Sequence, residues 1–181
     1  MILKFGAVAA IAMLATSGAA LAADPRHHVV QGYGAIAPMP DAKERPDHAL
    51  RYRVLFSVTK AAASPDQVDP SLEKVARFLN LLGADGVRPA PGDVAVVIHG
   101  PATPLVMNDA AYADRTKIAK NPNLPLVAAL KAAGVSVRVC SQALVGNEVD
   151  PTTVDKRIEI DVSALTTMAS LQLRGWALIP D

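Results

Sequence analysis

The sequence predicts an α/β fold built on a mostly parallel sheet, and three observations support this. Tyr52–Thr59 is rich in β-branched and aromatic residues, which is typical of a strand. Asp69 and Pro70 then combine a good N-cap with a good first helical residue. Asp93–Gly100 follows as an apolar run, which favours a strand covered on both faces. Strands and helices that alternate in this way predict a sandwich with helices on both faces of the sheet.

Two segments of a different kind precede the first strand. Lys4, the apolar stretch Phe5–Leu14 and the small-residue site Ala20–Ala22 predict a secretory signal peptide over residues 1–22. The apolar stretch is too short to span a bilayer, although a retained membrane anchor is the alternative. We therefore expect a periplasmic or secreted protein with no membrane attachment after cleavage. Proline-rich residues 23–50 predict an extended leader, either packed against the domain or loose.

The middle of the chain continues the alternation of helices and strands. Apolar residues at helical spacing follow Asp69, and Gly83 is a plausible end for this first helix. The stretch Thr103–Lys120 has a weaker pattern, and we expect a short helix near Asn108–Arg115 within a variable loop. Asn123–Ala133 is typical of a helix, with proline in its first turn and a glycine after it.

The last third of the chain predicts three further strands and one helix. Val135–Cys140 is typical of a buried strand, and Gly146–Pro151 indicates a turn. Lys156–Val162 alternates polar and apolar residues, which predicts an edge strand with one wet face. Ser163 caps a last helix that runs to about Arg174, and Trp176–Ile179 is a final short strand. The expected order is β-α-β-α-β-β-α-β, in one domain over residues 51–181.

Composition argues against several classes of partner, and the common catalytic motifs are absent, which by itself excludes no class of enzyme. The formal net charge is +1 and no basic block occurs, so we expect no nucleic-acid partner. The aromatic content of 4% also argues against a base-stacking or carbohydrate-binding surface. The chain lacks the glycine-rich nucleotide and phosphate motifs, G-x-S-x-G, C-x-x-C and H-E-x-x-H. We expect no metal site and no cofactor.

Cys140 and His99 are the candidate catalytic residues. Cys140 is the only cysteine, so it cannot form a disulfide within the chain, and it is either inert packing or reactive. His99 ends the second strand and Cys140 ends the third, so their side chains can meet at the carboxyl edge of the sheet. A histidine lowers the pKa of a neighbouring thiol, and Arg138 would add positive potential from the same face. The alternatives are a buried apolar thiol and a hydrogen-bonded histidine at a strand end.

Four further residues are candidates for ligand binding. Gln142 and Gln172 are polar residues in apolar surroundings, where they either bind a ligand or cap backbone groups. Asn108 either lines a pocket or caps a helix. Gly100 lies past the end of the second strand, where backbone amides can bind an anion.

Four segments in order resemble one known family. They are Ala76–Asn80, Val96–Ala102, Val139–Leu144 and Leu171–Ile179. Together they are similar to the DsrE/DsrF-like family, also called DsrEFH-like or YchN-like, and more to an exported subgroup than to the cytoplasmic enzymes. The resemblance covers about Tyr52 to Pro180.

The resemblance implies a three-layer α/β/α sandwich with a mainly parallel five-stranded sheet. It also implies homo-oligomers, trimers or hexamers, and sulfur carried as a persulfide at the position of Cys140. The function expected from it is a periplasmic sulfur carrier or a sulfurtransferase-like protein. Its partner would be a small sulfur compound or a sulfur-donor protein, and no cofactor is required. Two alternatives remain: a non-catalytic binding or assembly module with an inert thiol, and a redox sensor that forms a disulfide between subunits.

Overall fold

A computed structural model describes residues 26–181 of the protein. The predicted signal peptide lies outside the described residues. Five strands form one sheet in the order β4-β3-β2-β1-β5, and every pairing is parallel. This confirms the predicted α/β class and its five-stranded sheet. The strands are β1 Val54–Val58, β2 Val94–Ile98, β3 Ser136–Cys140, β4 Glu159–Asp161 and β5 Ala177–Ile179.

Three of the five helices in the described chain begin at a capping side chain. Asp69 accepts hydrogen bonds from the amides of Ser71 and Leu72. Asn108 and Ser163 cap their helices in the same way. Each cap satisfies amides that a helix leaves without an internal partner. The helices are α1 Pro70–Ala84, α2 Asp109–Thr116, α3 Leu124–Ala132, α4 Ser141–Gly146 and α5 Ala164–Leu173, with 3₁₀ segments at Gly100–Val106 and Pro151–Thr153.

The two faces of the sheet are covered unequally. On one face, α1 and α3 pack on alternate strand residues such as Phe56 and Val96 and form the larger core. On the other face, a smaller cluster contains Leu55, Ala95, Val97, Cys140 and Ala164, with α5 above it. The result is a three-layer sandwich, and the Cys140 thiol lies in the smaller cluster on the face that α5 covers.

The connection between β3 and β4 differs from the sequence prediction. We expected a turn after β3, but α4 begins directly at Ser141 and is followed by the 3₁₀ segment Pro151–Thr153. A parallel pair needs a crossover, and these two segments provide it. The paired strand β4 is at the edge of the sheet, as its alternating sequence predicts, but it is shorter than Lys156–Val162.

The described part of the leader packs against α1 without forming a helix or strand. Asn80 is fully buried, and its Oδ1 accepts hydrogen bonds from the amides of Val29 and Val30 at 2.8 Å. Its Nδ2 donates to the carbonyls of Tyr33 and Gly34 at 2.9 and 3.0 Å. One buried amide therefore holds residues 29–34 of the leader on the domain. No helix within residues 26–181 is long and apolar enough to cross a membrane.

Candidate functional site

The strand register brings His99 and Cys140 to one edge of the sheet. Val97 is paired with Arg138 and Ile98 with Val139, so His99 and Cys140 are the next positions on the two neighbouring strands. The backbone of His99 is extended, and its side chain therefore alternates onto the face that carries Val97. Both candidate residues thus lie on the α5 face, at the carboxyl edge where α/β proteins bind ligands.

The His99 imidazole is engaged with β1. Its Nε2 lies 3.0 Å from Oγ of Ser57. Because β2 lies between β1 and β3, this hydrogen bond draws the ring away from the strand of Cys140. Burial lowers the pKa of His99 below its ordinary value, and the negative charge of Asp181 only partly offsets that effect. The ring is therefore neutral near neutral pH, and contact with the thiol requires it to exchange its partner.

Cys140 is buried under α5. The residue is 5% exposed and packs in the cluster with Ala164, against which Met168, Leu171 and Trp176 also lie. Within the described chain the thiol has no hydrogen-bond partner. The surroundings of the sulfur are therefore apolar, and this packing restricts the access of a reagent to it.

Arg138 is balanced by two carboxylates. Its guanidinium lies 2.8 Å from Glu159 and 2.9 Å from Asp161, and its Nε donates to Oγ of Ser136 at 2.9 Å. Asp161 also accepts a hydrogen bond from the Thr167 hydroxyl at 2.8 Å, which ties α5 to β4. The positive charge of Arg138 near Cys140 is therefore paired with two carboxylates. Together with Thr167, these side chains connect β3, β4 and α5.

The other predicted binding residues are bonded to nearby backbone. Gln142 and Gln172 are exposed and donate to the carbonyls of Val162 and Met168. Asn108 accepts from the amide of Ala111 as the N-cap of α2. Each of these contacts is of the capping kind that we gave as the alternative to ligand binding.

Gly100 and its neighbours form the turn after β2. Gly100 has a positive φ of 58°, which a residue with a side chain rarely adopts. Its carbonyl accepts from the Thr103 hydroxyl at 2.7 Å and from Asn147 Nδ2 at 3.2 Å. Asn147, which follows α4, thereby connects that helix to the segment after β2.

Asp181 is a member of this edge that the sequence analysis did not identify. Its carboxylate accepts from the amides of Thr59 and Lys60, both at 2.7 Å, and from the hydroxyls of Thr59 and Ser71. Burial acts to raise the pKa of Asp181, but the hydrogen bonds outweigh it and lower the pKa to about 2. No local sequence pattern predicts the contacts of Asp181, because its partners lie more than a hundred residues earlier in the chain.

Comparison with a family model identifies the family of this chain. The model of the DsrE/DsrF-like family matches residues 52–180, which includes every strand of the sheet and both candidate catalytic residues. The chain belongs to the DsrE/DsrF-like family. The resemblance in the four sequence segments is therefore confirmed.

Comparison with solved structures supports the fold of this DsrE/DsrF-like protein. The protein of unknown function MTH1491 from Methanobacterium thermoautotrophicum aligns with a TM-score of 0.51 and 21% identity. The alignment covers 72% of this chain and 99% of that one. At this identity the similarity shows the fold alone. A search of curated proteins gave no match.

The described residues of this DsrE/DsrF-like domain offer thiol and imidazole chemistry at one edge. Over residues 26–181, no group of three or more histidine, cysteine or acidic side chains is arranged to hold a metal. The site combines a buried thiol, a neutral imidazole on the same face and a compensated arginine. A thiol of this kind can form a persulfide or stay inert, depending on access.

Proposed function

We propose that this DsrE/DsrF-like protein carries sulfane sulfur as a persulfide on Cys140, in the periplasm or as a secreted protein. The observation that carries the proposal is the position of Cys140. It is the only cysteine, it lies at the carboxyl end of β3, and the family match spans it. The location rests on the signal-like pattern of residues 1–22, and fractionation with sequencing of the mature N-terminus would test it.

The proposed reaction is a transfer of one sulfur atom. The Cys140 thiolate attacks the outer sulfur of thiosulfate, so that an S–S bond forms on Sγ. The bond between the two thiosulfate sulfurs breaks, and sulfite leaves with the electron pair. His99 is the base that takes the thiol proton, after its imidazole exchanges Ser57 for the thiol.

Access to the thiol is the step that the packing controls. Cys140 lies in one buried cluster with Ala164, and Met168 packs against that cluster. The contact of Thr167 with Asp161 ties α5 to β4. We expect the persulfide to form when this contact opens, because Cys140 is 5% exposed while the contact is closed.

Mass spectrometry of the intact protein tests the proposal. The purified protein is incubated with thiosulfate or polysulfide and compared with the Cys140→Ser variant. We expect a mass gain of one sulfur atom in the wild type, mapped to the Cys140 peptide and removed by dithiothreitol. No gain in the wild type, or an equal gain in Cys140→Ser, would reject persulfide chemistry at this residue.

A second candidate function is a non-catalytic module with an inert thiol. The 5% exposure of Cys140 and its apolar neighbours favour this alternative. It requires that the Cys140→Ala variant keeps the assembly state and stability of the wild type, and that sulfur donors leave the thiol unchanged.

We also propose that the protein forms a homo-oligomer, a trimer or hexamer, as the family resemblance implies. Large apolar side chains are exposed on and beside α5: Val162 at 76%, Leu165 at 78% and Leu173 at 89%. A second copy of the chain would cover them. Sedimentation velocity of the wild type and of Leu165→Glu tests this: a wild-type monomer would contradict it, and a dissociated variant would support it.

A further inference from the structure

A cavity lies on the opposite side of the sheet from Cys140. It has a volume of about 310 Å³ and lies beyond the carboxyl ends of β1 and β2, between the start of α1, α2 and the start of α3. Its walls are mostly apolar and include Ala62, Pro65, Pro101 and Leu105. Pockets of α/β proteins that bind small molecules are found at this edge and have this composition.

One buried carboxyl in the wall of this cavity has an unused oxygen. Asp69 is 1% exposed, and its Oδ1 accepts from the amides of Ser71 and Leu72 as the N-cap of α1. Its own amide donates to Oδ1 of Asn123 at 2.8 Å. Oδ2 is buried and has no partner among the described residues. A buried acceptor without a partner is uncommon and costs stability, and capping requires only the first oxygen.

The other polar groups of the wall are already occupied. The Tyr112 hydroxyl donates to the Pro65 carbonyl, and Asn123 Nδ2 donates to Asn121. Arg115 is the other charged residue in the described lining, but it is exposed and donates to the Asn147 carbonyl. Its charge is therefore screened by water. The unused group in the wall is thus an acidic acceptor beside apolar surface.

We propose that this cavity binds a small, mostly apolar primary amine whose ammonium group donates a hydrogen bond to Oδ2 of Asp69. Burial raises the pKa of Asp69, and the nearby charge of Asp181 adds to that effect. A cation at Oδ2 offsets the cost of the buried charge, so binding strengthens as pH rises through the Asp69 pKa. The site is independent of the thiol chemistry proposed above.

Titration with benzylamine, followed by two-dimensional NMR of the backbone amides, tests the proposal. Benzoate serves as a probe of similar size and opposite charge. In the wild type we expect benzylamine to shift the amides of Asp69, Ser71 and Ala102, and benzoate to leave them unchanged. Asp69→Asn keeps a capping oxygen but places an amide donor or a neutral acceptor at the second position, so the affinity falls by at least about tenfold.

A second variant separates loss of the ligand from loss of the fold. Ala62 is half-buried in the loop before α1, so Ala62→Phe fills the cavity without changing the cap. We expect a wild-type spectrum elsewhere and no benzylamine shifts. The proposal is overturned if benzylamine shifts no cavity amide in the wild type, as it would if water alone occupies Oδ2. Equal binding of benzoate, or undiminished binding by folded Asp69→Asn, also overturns it.

Discussion

Nε2 of His99 and Oγ of Ser57 lie 3.0 Å apart, which links β2 to β1 on the face that carries Cys140. Since β3 lies on the other side of β2, the imidazole that would activate the thiol is bonded away from it. The proposed activation therefore requires two movements: the ring exchanges its partner, and the layer over the sulfur opens. The resting arrangement therefore keeps the imidazole bonded to Ser57 and the thiol packed in the cluster under α5.

His99 is expected to titrate below 6.5, because burial disfavours its charged form. Asp181 opposes this shift, so Asp181→Asn lowers the pKa of His99 further. The unfolded chain takes up a proton near 6.5 while the folded chain does not, so stability contributed by His99 falls as pH drops below 6.5. Imidazole resonances followed by NMR against pH measure this directly; a His99 midpoint at or above 6.5 would contradict it.

Asp181→Asn is expected to lower the melting temperature near neutral pH. The carboxylate accepts from two amides and two hydroxyls, and its pKa is lowered from 3.8 to about 2. Its contribution is fully present above 3.8 and is lost as pH falls through about 2. The melting curves of the two proteins should therefore converge across that window. A difference that is independent of pH would show that the charge is not responsible.

The thiol of Cys140 is expected to react slowly with a neutral disulfide reagent in the native protein and rapidly in denaturant, because the residue is 5% exposed. Met168→Ala removes part of its cover and should raise the native rate severalfold. Thr166→Ala is the matched control, since this threonine is on the same helix but exposed. A native rate equal to the denatured rate, or equal effects of both variants, would argue against control by α5.

The strands and helices were predictable where the local pattern decides the structure. β2 is a continuous apolar run, β3 has valines at alternate positions, and Asp69 followed by Pro70 fixes the start of α1. The six-residue helix α4 was missed because it begins directly at the end of β3, without a separating turn or capping side chain. For the candidate site, the sequence predicted only that His99 and Cys140 lie at the carboxyl ends of neighbouring strands.

The contacts within the site depend on residues far apart in the chain. Ser57 bonds to His99 across two neighbouring strands, and Asp181 reaches Thr59 and Ser71. Strand register and packing decide which of these residues meet, and neither can be predicted from a local sequence pattern. The same holds for the carboxylates that balance Arg138, since Glu159 and Asp161 belong to the next strand.

Asn80 is expected to decide whether the leader stays on the domain. Its side chain is fully buried and bonds to the backbone from Val29 to Gly34, so Asn80→Ala leaves several buried polar groups without partners. The loss should be about 3 kcal/mol or more in the free energy of unfolding, measured with urea.

Arg77→Ala is the matched control on the same helix, because exposed Arg77 makes a 3.3 Å hydrogen bond to the Ala35 carbonyl. Removing that solvated bond should cost well under half as much, since water replaces it. Limited proteolysis then distinguishes the two causes of instability: if Asn80 holds the leader, cleavage before residue 50 increases in Asn80→Ala before the domain itself unfolds. Equal stability of the two variants would mean that packing of Val30 and Ile36, both buried, holds the leader without the amide.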